Sequence, residues 1–218
     1  MGIFKFLKEA YQEGVAEGKQ ELMNELKLYE EIKNNNNIME KSAIALACPF
    51  REIHVSSALA NKSPHLFKTG VLTDKNIKAV KKILLRDFDI YDTQTLSINS
   101  QKFDETLNLM DENCDEYAPV IVAVSSIKLH IFTASIDVGF TTWSESKVEI
   151  TSCIKNILQI EDITSWQKYA DYFLLGEKVL GLNNSLGRKL IKTSINGLLS
   201  NDDSPWLNLN WNELTAIE

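Results

Sequence analysis

Between Val120 and Phe140 the chain carries its longest apolar run, almost long enough to cross a bilayer, and within it stand Lys128, His130 and Asp137. Ionisable groups are costly in hydrocarbon, so the run is better suited to a protein interior than to lipid. Pro119 at its first turn and apolar residues on nearly every face predict a buried helix from Pro119 to about Val138, enclosed by other helices. That expectation sets the fold class: mainly α, a multi-helix orthogonal bundle. The β-branched residues leave an alternative, a small β element in which Val120–Val124 and Leu129–Phe132 form a hairpin.

The flanking segments supply the enclosing helices. Ile38 to Ala47 is apolar and Ala-rich, and is expected to stop at Cys48-Pro49, because a residue before proline is pushed out of helical geometry. Asn61 to Gly70, with Pro64 and Gly70, reads as a loop. Thr73 is the expected N-cap of a helix over Asp74–Phe88, with Ile77, Val80, Ile83, Leu84 and Phe88 on one stripe. A weaker helical pattern runs from Thr95 to Met110, followed by the polar stretch Asp111 to Glu116. Ser144–Leu158 is a further helix. Thr164 is expected to cap Ser165–Leu180, with Trp166, Tyr169, Ala170, Phe173, Leu174 and Val179 facing inward and Gly181 ending it. Ser185–Leu199 repeats the arrangement with Leu186, Leu190, Ile191, Ile195 and Leu198 inward. The tail from Ser204 to Trp211 is expected to be extended, with Trp206 and Trp211 lying over the core.

Ahead of this core, Ile3 to Lys33 lacks proline and repeats apolar or small residues near every 3.6 positions, which predicts one long N-terminal amphipathic helix. Beside that stripe Glu9, Glu13, Glu17, Glu21 and Glu25 recur every fourth residue. Like charges at this spacing each destabilise a helix by a few tenths of a kcal/mol, roughly. The stripe is therefore a candidate partner-binding surface. Asn34 to Asn37 favour a turn, which divides the chain into an arm, residues 1–37, and a helical core domain, residues 38–218.

A formal charge of −7 disfavours nucleic acid as a partner, since affinity for phosphate comes from Lys and Arg. An arm with more Glu than Lys disfavours a membrane surface. Cys48, Cys114 and Cys153 are odd in number and widely spaced, which suits neither a disulfide framework nor a zinc site and points to the cytoplasm. Phe6 stands where a myristoylation signal wants Ser or Thr, and Lys8 and Glu9 interrupt any secretory apolar region.

The C-terminal quarter contains Ser165-Trp166, Tyr169-Ala170-Asp171-Tyr172, Gly176, Asp203-Ser204-Pro205-Trp206 and Trp211, and Asp137-Val138-Gly139-Phe140 precedes them. In these residues the chain resembles the bacterial domain of unknown function 1266, over about residues 80 to 211. The resemblance implies an α-helical bacterial domain with no assigned reaction. The chain departs from the family pattern where a Trp-Asp pair and a nearby Arg are usual: it has Val124-Ser125-Ser126 and Lys128 instead.

Candidate chemistry is sparse. His54, His65 and His130 lack a second ligand at helical spacing, so no metal is expected, and no glycine-rich phosphate cradle or nucleophile elbow occurs. Cys48 with His54 is a conceivable thiol and base. Lys128, His130 and Asp137 share one helix, and Asp87/Asp89 and Asp202/Asp203 are short acidic pairs. The balance predicts a protein without catalytic, cofactor or metal sites. It would bind another protein bearing a basic surface, in a toxin-neutralising (immunity) or secretion-accessory role. The alternatives are an enzyme of unrecognised class using Asp137, His130 or Asp171 in a pocket of the bundle, and a scaffold that self-associates as a homodimer through the N-terminal helix.

Overall fold

The computed structural model describes residues 14–20, 23–24, 27, 30–31, 37–58, 68–70 and 72–214. The chain divides into two compact units, Met1–Asn36 and Asn37–Glu218. In the first unit residues 14–20, 23–24, 27 and 30–31 are helical and those whose side chains are described are exposed, Glu17 among them. Glu9, Glu13, Glu21 and Glu25 lie outside the described residues.

The described elements of the second unit are all helices: α1 (Ile38–Ala58), α2 (Asp74–Phe88), α3 (Thr93–Asn108), α4 (Tyr117–Asp137), α5 (Trp143–Leu158), α6 (Trp166–Leu180), α7 (Ser185–Ser200), α8 (Pro205–Asn208) and α9 (Trp211–Leu214). No strand occurs among the described residues, so the Val120–Phe132 hairpin is set aside: that segment lies within the single helix α4. α4 packs against α1, α2, α3, α5 and α6. It is long and apolar enough to span a membrane, yet it is mostly buried by protein, Lys128, His130 and Asp137 included.

The helix starts follow local chemistry. Asn37, last of the asparagine break, accepts from Glu40 N–H at 3.2 Å and opens α1. Thr73 caps α2 through Asn76 N–H, while Asp92 with Thr95 and Thr142 with Glu145 form reciprocal capping boxes on α3 and α5. Ser165, not Thr164, caps α6, because its own hydroxyl reaches Lys168 N–H. Gly181 ends that helix in the left-handed region (φ 62°).

α1 departs most from its expected length. It runs through Pro49 to Ala58 instead of stopping at Cys48. A proline inside a helix has no N–H to donate four residues back, which here deprives the carbonyl of Ala45. The indole Nε1 of Trp206 donates to that carbonyl at 2.8 Å. The neighbouring Leu46 carbonyl accepts from the Tyr169 hydroxyl at 2.5 Å. A tertiary donor thus replaces the missing backbone donor, and the helix continues.

The tail is also helical where an extended segment was expected: Ser204 Oγ caps α8 and Pro205 occupies its first turn, where a missing N–H does no harm. Trp166 and Trp206 stack with centroids 5.2 Å apart and planes 7° from parallel, and Trp211 meets Trp166 edge-on at 4.9 Å. Trp166 Nε1 donates to Leu209 O at 2.7 Å. Both tail tryptophans are buried, as the sequence led one to expect. Three residues expected inside are outside: Val179 on α6 and Leu186 and Leu190 on α7 are 43%, 66% and 52% exposed. Each helix turns another set of apolar residues to the core, Phe173 on α6 and Ile191, Ile195 and Leu198 on α7 among them.

Candidate functional site

One buried ion pair and two imidazoles gather between α1 and α4. Arg51 and His54 lie three residues apart on α1, and His130 and Asp137 seven apart on α4, so each pair shares one helical face. The two faces meet. Arg51 Nη1 stands 2.7 Å from Asp137 Oδ2, with both side chains fully buried. His54 Nδ1 stands 2.9 Å from His130 Nε2. The loop before α2 is tied in by the same charges: Gly70 N–H donates to Asp137 Oδ1 at 2.9 Å. Thr69 N–H and Oγ1–H donate to Glu40 Oε1 at 3.2 and 2.9 Å.

Burial pushes the Asp137 carboxyl up from its ordinary range, while Arg51 and Gly70 N–H act in the opposite direction. Burial lowers His54 to about 4, partly offset by Asp87, whose Oδ2 lies 3.7 Å from Nε2. Burial, then His54 and Arg51, hold His130 well below the usual imidazole range. Both rings are therefore neutral at pH 7, and one N–H is shared across their contact. His130 Nδ1 is buried and without a hydrogen-bond partner among the described residues. Phe50 and Phe88 pack around the pair, with ring centroids 5.6–6.1 Å from the imidazoles.

The other candidates go elsewhere. Cys48 is buried, and its thiol is pushed far above its normal range by desolvation, so it is not a thiolate beside His54. Lys128 leaves the His130 face and reaches Asp104 at 2.6 Å and Glu149 at 3.3 Å, joining α3 and α5 across α4. Asp171 is exposed and accepts from Gln167 at 3.1 Å, far in character from the buried cluster that holds His130 and Asp137. Asp87 is engaged by Arg86, whereas Asp89 ends α2 at φ 54°. Asp202 and Asp203 are exposed. Among the described residues no three His, Cys, Asp or Glu side chains come together as a metal site. His65 lies outside the described residues.

Arg51 was missed by the sequence reading. Its signal was a lone cation in the apolar stretch Ile44–Val55, a position where a charge survives only beside a counter-charge.

A second feature is on the surface. From Lys102 to Lys128 the chain has no cation between them but carries Asp104, Glu105, Asp111, Glu112, Asp115 and Glu116. All but Asp104 are exposed. This acidic corner joins α3 to α4, and Leu109 at its turn is 88% exposed, the most open large apolar residue among those described. The chain matches no family model, no curated protein and no solved structure.

Proposed function

We propose that the chain is a non-enzymatic protein-binding protein that acts through an acidic surface on a basic partner, in a toxin-neutralising or secretion-accessory role. The carrying observation is the acidic corner between α3 and α4, where exposed carboxylates flank the open side chain of Leu109 along the chain. Such a surface steers a cationic partner by charge and gives it an apolar anchor. The glutamate stripe of the arm, read as one long amphipathic helix, is by itself a second acidic surface for such a partner. In the interior, by contrast, ionisable groups are engaged with one another: Arg51 with Asp137, Lys128 with Asp104 and Glu149, Arg188 with Glu177.

The same proposal places the chain in a reducing cytoplasm, its core helices arranged orthogonally and related to the bacterial domain of unknown function 1266. Four of the residues that carry that resemblance, Trp166, Tyr169, Trp206 and Trp211, form one aromatic cluster. The test is co-isolation from the native cell with the wild-type chain and with Glu112→Gln/Asp115→Asn. The variant should lose a basic protein that the wild type retains. Recovery of the same proteins by both would overturn the reading, as would recovery of none by the wild type.

A further inference from the structure

The acidic corner has a counterpart of opposite sign at the same end of the bundle. Gly176 of α6 packs on the carbonyl of Pro119, in the first turn of α4, so closely that a Cβ would lie 2.0 Å from that oxygen. Asp115 and Glu116 directly precede α4, whereas Lys178 lies two residues beyond Gly176. Arg188 Nε on α7 reaches Glu177 Oε2 at 3.2 Å, which brings the first turns of α7 to this end as well. The stretch from Lys178 to Lys192 holds Lys178, Arg188, Lys189 and Lys192 with no acidic residue among them. Lys178, Lys189 and Lys192 are exposed, as are Leu186 and Leu190, which lie one turn apart on the side of α7 turned from the core.

One end of the second unit therefore offers an anionic patch with an open leucine and a cationic patch with two open leucines. A two-fold axis through that end sets each patch against its opposite on a second molecule, the reciprocal arrangement of an isologous interface. We propose that the occupant of the α7 face is a second copy of this chain, the acidic corner of each copy docking on the α6–α7 turn of the other. The inference rests on the reading of the corner as a protein-binding surface and identifies its partner as the chain itself. Leu109 and the Leu186/Leu190 pair supply the apolar contact, and the charges set partner and orientation.

Sedimentation equilibrium on the full chain tests it. The mass should rise from one chain toward two with concentration, and raising the salt should weaken association, because exposed charges are screened. Glu112→Lys/Asp115→Lys should weaken dimerisation by roughly tenfold or more through like-charge contact, and Lys189→Glu/Lys192→Glu should do the same. Combining all four changes in one chain should restore it, since a symmetric pair then meets swapped charges; all four positions are exposed, and circular dichroism checks that each variant folds. A single-chain mass at every concentration overturns the inference, as does a dimer indifferent to Lys189→Glu/Lys192→Glu or a combined variant that stays monomeric. A monomeric wild type that still loses a heterologous basic partner on Glu112→Gln/Asp115→Asn overturns the self-pairing alone and leaves the acidic-surface reading standing.

Discussion

At the scale of single residues, the structure turns on polar atoms that another part of the chain must satisfy. The Ala45 carbonyl, freed by Pro49, has Trp206 Nε1 as its donor at 2.8 Å. Trp206→Phe keeps most of the ring stacking on Trp166 and removes only the N–H, so it should destabilise the fold by about 1–3 kcal/mol, the range for an abandoned buried acceptor. Urea unfolding measures this; a loss below a few tenths, roughly, would show that the carbonyl finds another donor. Gly176→Ala places a methyl group against the Pro119 carbonyl, a backbone atom that cannot swing aside as a side chain does. It should cost about 1–3 kcal/mol as overpacking, and an unchanged melting temperature would contradict the close approach. The Arg51–Asp137 pair predicts an asymmetry. Arg51→Met strands a buried carboxylate and should cost about 3–5 kcal/mol, whereas Arg51→Met/Asp137→Leu should recover much of that loss, since the pair leaves the interior together. A double-mutant cycle with additive losses would refute the coupling.

At the scale of elements, the sequence was most legible where a helix begins and ends by its own chemistry. The Thr73 cap and the bounds of α2 agree with the expectation residue for residue, because a cap is a contact over three residues. Thr73→Ala should therefore destabilise the chain by about 1 kcal/mol and fray α2 first, which hydrogen exchange at its first-turn amides would report; unchanged protection there would argue against the cap. α1 was misjudged for the complementary reason. The proline rule describes what the local backbone lacks, and the compensating indole stands on α8, remote in sequence. Leu186 and Leu190 were misplaced because their apolar spacing is equally good for a stripe that faces the core and one that faces outward. Ile191 and Ile195, on the opposite side of the same helix, took the core.

At the scale of the whole molecule, the histidine pair couples folding to acidity. His54 and His130 are held neutral between α1 and α4, and both have folded-state affinities for protons below those of an open imidazole. Their contribution to stability is complete above pH 6.5, the ordinary imidazole value, where neither the folded nor the unfolded chain binds the proton. As the pH falls from 6.5 toward about 4, the unfolded chain takes up protons that the folded one refuses, and stability declines. Thermal melts should show this decline for the wild type and a shallower one for His54→Phe over the same window. Equal slopes would mean that the imidazoles are not buried as the His54–His130 contact at 2.9 Å requires.

The sequence by itself determined that the chain is mainly helical, that its centre is one enclosed helix, and that Thr73 opens α2 and Gly181 ends α6, since periodicity and capping are written within a few turns of backbone. It could not decide which residues from distant helices share an environment. That Arg51 meets Asp137, that Trp206 completes α1, and that the acidic corner lies at the same end as the cationic face of α7 were settled only when α4 drew the other helices around it. Those pairings depend on which atoms are driven together when water is excluded, and this is a property of the packed whole that no local stretch encodes.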